Sequence, residues 1–329
     1  MFVAEQCRFD RYDEIYVSPH LDDAVYSCAG RIAQQRRAGL RVLVVTLFGS
    51  GTSESTIPGT GAASKRFGDF EVRRQEDRAA MARVDSDYVW LNEPDFVFRR
   101  PSVGDVVRIA FPFLRLPSSE MQVRLLRALT ALCESRLAQG GRVVFPFAVG
   151  FHPDHRIAFD VGRAMHAGGR FPVEFYEDLP YALAPVMTAL RLRYLGFGPT
   201  KTPLWRSARE MNFALFRFFG VPWLTFLPTL LYAWLLLLVQ RIFQAQDRLR
   251  DEPAPVREHE YAIDDTIDDK VAAMRLYPTQ TELFLAMDDR LYAMLREPGG
   301  YFERRWRFPS FPSPSERLRR LGLPTSEPM

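Results

Sequence analysis

The sequence predicts an α/β fold: a mostly parallel sheet with helices on both faces, extended by an apolar helical insertion. Three observations carry this. Two continuous apolar runs, RVLVVTLF at 41–48 and RVVFPF at 142–147, suit strands buried on both faces. Strand-like runs alternate with helix-period segments over residues 1–180, the pattern of βαβ units. A single stretch, residues 218–240 between Arg217 and Arg241, carries no charge.

The elements follow in order. EIYV at 14–17 reads as a strand running into a Ser-Pro-His loop. Residues 23–38 have helical spacing and stop at Gly39, a good terminator. The 41–48 run is the next strand, followed at 49–64 by a Gly/Ser/Thr-rich loop. That loop lacks the Gly-Lys-Ser/Thr of a phosphate-binding loop, and no helix starts directly after it. Residues 69–84 form a charged helix and DYVWL at 87–91 a strand; 92–118, with four prolines, is irregular. A helix at 119–138 closes at Gly140–Gly141, a strand at 142–147 runs into an FHPDH loop, a helix spans 155–167 and a strand 171–178. The chain divides into a core at 1–198, an apolar insertion at 199–257, a segment completing the core at 258–307, and a Pro/Ser-rich tail at 308–329.

Composition narrows the function. With 329 residues, 47% of them hydrophobic and 25% charged, the chain can bury a sizeable core and is not a disordered or collagenous protein. A net charge of +3 does not argue for a nucleic-acid partner. Three scattered cysteines, Cys7, Cys28 and Cys133, give no disulfide framework, and the N-terminus shows no secretory signal; a cytoplasmic location is expected.

Open α/β sheets bind ligands beyond the carboxyl ends of their strands. Two polar clusters fall there: Ser18-Pro19-His20-Leu21-Asp22-Asp23 after the first strand and His152-Pro153-Asp154-His155 after the 142–147 strand. They hold three of the five histidines. A catalytic zinc takes three N/O ligands plus water, and His20, Asp23 and His155 supply that set; another divalent metal would also accept it. Asp22 then serves as the base, His152 as acid or oxyanion partner, and Asp154 orients His152 and holds it charged. Singly, each cluster has a plainer reading: Asp22 or Asp23 as a helix N-cap, and the two histidines as an ordinary loop pair. Their joint placement on one sheet edge favours the metal. Asp178, at a strand end, is within reach of the cleft.

PHLDDA, followed about 130 residues later by HPDH, resembles the PIG-L/LmbE-like deacetylases. The resemblance implies a Rossmann-like fold and zinc-dependent removal of acetyl groups from N-acetylglucosaminyl compounds. It implies His20, Asp23 and His155 as zinc ligands, Asp22 as general base, and His152 as the acid or oxyanion residue. VRRQEDRAAMARV resembles the family's Arg-x-x-Glu helix through Arg73 and Glu76, and LNEPDF puts Asp95 where many members carry a substrate-side aspartate. FYEDLPYA is similar to a bacterial subgroup, and Tyr277-Pro278-Thr279-Gln280 ends a segment like the family's closing helix. Leu21 and Ala24 depart from the usual proline and glutamate of the first motif.

The 218–240 run is long enough to span a bilayer. Pro222 and Pro228 break its first half, and Thr229–Gln240 gives only about 18 Å of helix. Both flanks are basic, and Trp223, Tyr232 and Trp234 suit an interface. A monotopic or re-entrant hairpin on the inner membrane face is therefore expected, with an apolar subdomain packed on the body or across a dimer interface, and then a single span, as the alternatives. The expected function is hydrolysis of the acetyl group of an N-acetylated amino sugar by zinc-bound hydroxide, with the apolar run pointing to a lipid-linked substrate. The alternatives are a non-catalytic glycan- or lipid-binding assembly protein and a deacetylase of a soluble conjugate.

Overall fold

The computed structural model describes residues 2–51, 69–99, 120–183, 185–195, 257–280 and 290–308. The uncharged 218–240 run and the tail beyond Phe308 lie outside the described residues. Among the described residues, no helix is long and apolar enough to cross a membrane.

The strands are β1 (Phe2–Gln6), β2 (Tyr12–Ser18), β3 (Val42–Thr46), β4 (Asp87–Leu91), β5 (Leu137–Pro146), β6 (Val173–Tyr176), β7 (Arg257–Ala262), β8 (Arg296–Glu297) and β9 (Gly300–Arg307). Their order in the sheet is β1-β4-β3-β2-β5-β6-β9-β7, with β8 paired to β9. From β4 to β6 all pairings are parallel. The apolar runs explain this centre: every residue of β3 and β4 is buried, as strands covered on both faces require. The chain winds outward from β2 through β3 to β4 in one direction, and from β5 to β6 in the other. The carboxyl ends of β2 and β5 therefore flank the switch point where such sheets open a crevice.

Helices cover both faces. On one lie α1 (Asp23–Arg37) and α2 (Phe70–Arg83), with an apolar cluster that includes Val25, Ile32 and Met81. On the other, α3 (Glu120–Arg136) and α4 (Pro153–Ala167) pack together and bury Leu125, Leu129, Val161 and Met165. Helix α5 (Pro185–Tyr194) follows β6.

The chain returns at its end. Helix α6 (Ile267–Met274) lies against α1, while β7 and β9 extend the sheet beyond β6 in antiparallel pairs; α7 (Arg290–Leu295) leads into β8. Gly30 allows the close approach: a Cβ there would lie 2.7 Å from Ile263 Cδ1. Lys270 Nζ meets Glu303 Oε1 at 2.6 Å, and Arg305 Nη1 sits 2.9 Å from Glu14 Oε2, all four residues being buried.

Three boundaries differ from the sequence reading. Strand β1, antiparallel on β4, was not expected, because five residues of mixed polarity carry little strand signal. Strand β5 starts at Leu137, paired with Tyr12, and runs through Gly140–Gly141, read as a helix terminator; the register shifts there instead. The expected FHPDH loop is shorter, because α4 starts at Pro153, a residue suited to the first helical position.

Candidate active site

The two clusters meet at the switch point. Asp22 stands at the N-cap position of α1, yet its side chain makes no capping bond; Asp23 is the first helical residue. At the head of α4, His152 caps instead: its Nδ1 accepts the Asp154 backbone N–H at 3.3 Å. With Nδ1 accepting, the neutral ring carries its proton on Nε2.

One carboxylate oxygen joins the clusters. Asp23 Oδ2 lies 3.0 Å from His20 Nδ1 and 3.2 Å from His155 Nε2. It also accepts the His20 backbone N–H at 2.8 Å. The far nitrogen of each ring meets another carboxylate: His20 Nε2 is 3.0 Å from Asp154 Oδ2, and His155 Nδ1 is 2.6 Å from Asp178 Oδ1. Asp154 Oδ2 also accepts the Phe96 N–H at 2.9 Å, and Arg99 pairs with Oδ1.

Electrostatics follow from burial and these contacts. Burial opposes charge on His155, but Asp23 and Asp178 outweigh it and raise its pKa to about 10. His20 behaves alike: burial lowers its pKa, while Asp95, Asp154 and Asp23 lift it well above the usual range. Burial and the neighbouring Asp23 push Asp22 up to about 6, against Arg73 and His20. Burial and His20 bring His152 down to about 4. Asp154 favours charge on His152, as expected, but burial and His20 act against it more strongly, and the Asp154 oxygens face His20, Phe96 and Arg99.

The donor set suits a divalent metal. Bonds of about 2.0–2.1 Å in a tetrahedron place neighbouring ligand atoms about 3.3 Å apart, close to the separations around Asp23 Oδ2. Two imidazoles protonated toward one carboxylate oxygen form a charge pattern that a cation replaces on releasing those protons. Other groupings converge as well: His20, His152 and His155, and separately His20, Asp95 and Asp154, each bring ligand atoms within 4.8 Å of one another. In the set expected from the sequence, His20, Asp23 and His155, Asp23 Oδ2 touches both rings and each ring meets a further carboxylate behind.

The remaining expected residues are placed as follows. Arg73, on α2, and Asp95 are both buried, with Arg73 Nη1 3.8 Å from Asp95 Oδ2. Asp95 Oδ2 is 3.7 Å from His20 Nε2. Asp178 is 0% exposed and lies behind His155 rather than along an open cleft wall. Arg99 was not singled out from the sequence; it falls in a proline-rich stretch without periodicity.

Residues 15–166 match the family described as PIG-L: GlcNAc-PI de-N-acetylase. The 2'-N-acetylparomamine deacetylase of Niallia circulans is 29% identical over 190 residues, covering 52% of this chain and 68% of that protein. Among solved structures, the A40926 pseudoaglycone deacetylase is 20% identical with a TM-score of 0.52, over 90% of this chain and 97% of that one. The zinc-inhibited form of teicoplanin deacetylase is 19% identical with a TM-score of 0.54, over 89% and 96%. At these identities the two structures show a shared fold.

Proposed function

We take as premise that the chain belongs to the PIG-L family of deacetylases, through residues 15–166, and propose that it removes the acetyl group of an N-acetylated amino sugar with a divalent metal, zinc foremost. The observation that carries this is Asp23 Oδ2 set between His20 Nδ1 and His155 Nε2, with Asp22 and His152 beside them. The family description and the Niallia circulans relative both name N-acetylated amino sugars, which supports the substrate class.

His20, Asp23 and His155 would hold the metal. When bound, it would polarise the attacking water and the acyl carbonyl. Asp22 accepts a proton from that water, a task suited to a buried carboxylate whose pKa lies near 6. The water oxygen bonds to the acetyl carbon, and the His152 Nε2–H donates to the carbonyl oxygen as charge gathers on it. Asp22 returns the proton to the nitrogen as the C–N bond breaks, leaving acetate and a free amine. Asp95 would meet the sugar, with Arg73 behind it: Asp95 Oδ2 lies 3.7 Å from His20 Nε2 and 3.8 Å from Arg73 Nη1. The uncharged 218–240 run supports a lipid-linked form of the substrate and attachment at the inner membrane face.

Mass spectrometry of acetate release tests this, on N-acetylglucosamine conjugates with and without a lipid tail. Release that stops on chelation and returns with zinc is expected, faster on the lipid-tailed conjugate. Turnover that survives full chelation, or none from metal-loaded protein, would overturn the reading. Equal rates on both conjugates would favour a soluble substrate.

A further inference from the structure

Resting on the metal reading above, we infer that Asp178 is the positioning residue of the site: it fixes which nitrogen of His155 faces the metal and ties that ring to the turn that precedes it. The carboxylate stands two residues past β6 and uses both oxygens. Oδ1 meets His155 Nδ1 at 2.6 Å, and Oδ2 accepts the Val149 N–H at 2.9 Å. A carboxylate held at both oxygens cannot turn, and a residue with no exposed surface acts through its neighbours.

Val149 lies in an unusual turn. Ala148 (φ 58°), Gly150 (φ 85°) and Phe151 (φ 62°) all adopt left-handed backbone. Two of these are not glycine, so the turn is costly by itself and persists only where surroundings hold it. It delivers His152 to the cap of α4, and His155 one turn further on. Asp178 therefore grips both sides of the HPDH segment.

The same contact settles the ring. A carboxylate only accepts, so His155 Nδ1 keeps its proton on Asp178, and Nε2, 3.2 Å from Asp23 Oδ2, is the nitrogen whose proton a metal would displace. An asparagine at 178 would have to choose. With its oxygen on the Val149 N–H, its amide would donate to Nδ1 and force the proton onto Nε2, the metal side. Turned round, its amide would oppose the Val149 N–H.

Zinc affinity of the full chain, measured by competition with a chromogenic chelator, tests this. Asp178→Asn should bind roughly 10- to 100-fold more weakly than wild type. Nitrogen-15 NMR of the zinc-loaded wild type supplies a readout that a purely structural role would not move, and serves if the variant fails to fold: His155 should be protonated at Nδ1. Protonation at Nε2, or zinc affinity of Asp178→Asn within about two-fold of wild type, would overturn the assignment and leave the metal reading intact. A wild type that takes up no zinc would refute the metal reading and this inference with it.

Discussion

Asp22→Asn should make the metal-free protein more stable and the metal-loaded enzyme nearly inactive. Asp22 sits at a helix N-cap position without a capping bond, so its removal forfeits no cap. Its carboxyl is buried beside Asp23, which raises its pKa from 3.8 to about 6. Ionising an acid so shifted costs the folded chain roughly 3 kcal/mol relative to the unfolded one. The sign follows from linkage. Between pH 4 and 6 the folded state binds more protons than the unfolded, so wild-type stability falls as pH rises through that window and then levels off. Asparagine carries no such penalty. In chelator-treated protein the two forms should melt together below about pH 4, and the variant should melt several degrees higher above about pH 6. Loss of the base should lower kcat by about 100- to 10,000-fold with zinc still bound. A variant less stable than wild type at pH 8, or one that keeps near-native kcat, would refute the assignment of Asp22 as a buried base that is not a ligand.

His155→Ala and Asp23→Ala should each lose stoichiometric zinc while keeping a cooperative melt; metal analysis after gel filtration checks this, and full zinc retention in either would exclude that residue as a ligand. Gly150→Ala should destabilise by roughly 1–3 kcal/mol, because φ there is 85° and the added Cβ would lie 2.3 Å from Tyr181 Cγ; a denaturant midpoint equal to wild type would contradict that packing. Glu303→Gln should cost about 3–5 kcal/mol by leaving Lys270 charged and 1% exposed, and adding Lys270→Met should recover much of the loss. A single-variant loss below about 1 kcal/mol would show that the pair is not what holds this junction.

The parallel centre of the sheet was legible because its strands are buried on both faces, and burial of that kind writes itself as unbroken apolar runs such as VLVVT. The outer strands were not. FVAEQ and REHEYA mix polar and apolar residues without a clear period and owe their place to β4 and β9, partners far away in the chain. The convergence of His20, Asp23 and His155 was legible from two clusters at strand ends, since topology brings the ends of β2 and β5 together. The protonation of His152 and the role of Asp178 were not legible. Each depends on which neighbour faces a given ring nitrogen: the Asp154 backbone N–H takes His152 Nδ1, and Asp178 takes His155 Nδ1. Spacing in sequence carries no record of such choices.

The closing segment bears on the site although none of its described residues supplies a donor there. Glu303, on β9, accepts the backbone N–H groups of Gly30 and Arg31 on α1 at 3.0 and 2.8 Å. Thr266 Oγ1 donates to the Gly30 carbonyl, and the α6 residue Lys270 neutralises Glu303. Tyr277 donates to Asp77, and Thr279 bonds Glu76 through both its N–H and its hydroxyl, which anchors α2. Helix α1 opens with Asp23 directly after Asp22, and α2 carries Arg73. The two helices that position Asp22, Asp23 and Arg73 are thus held from behind by a chain segment 200 to 273 residues further along. Weakening that hold at Glu303 should therefore slow turnover as well as lower the melting temperature, because a base displaced by about 1 Å loses much of its advantage.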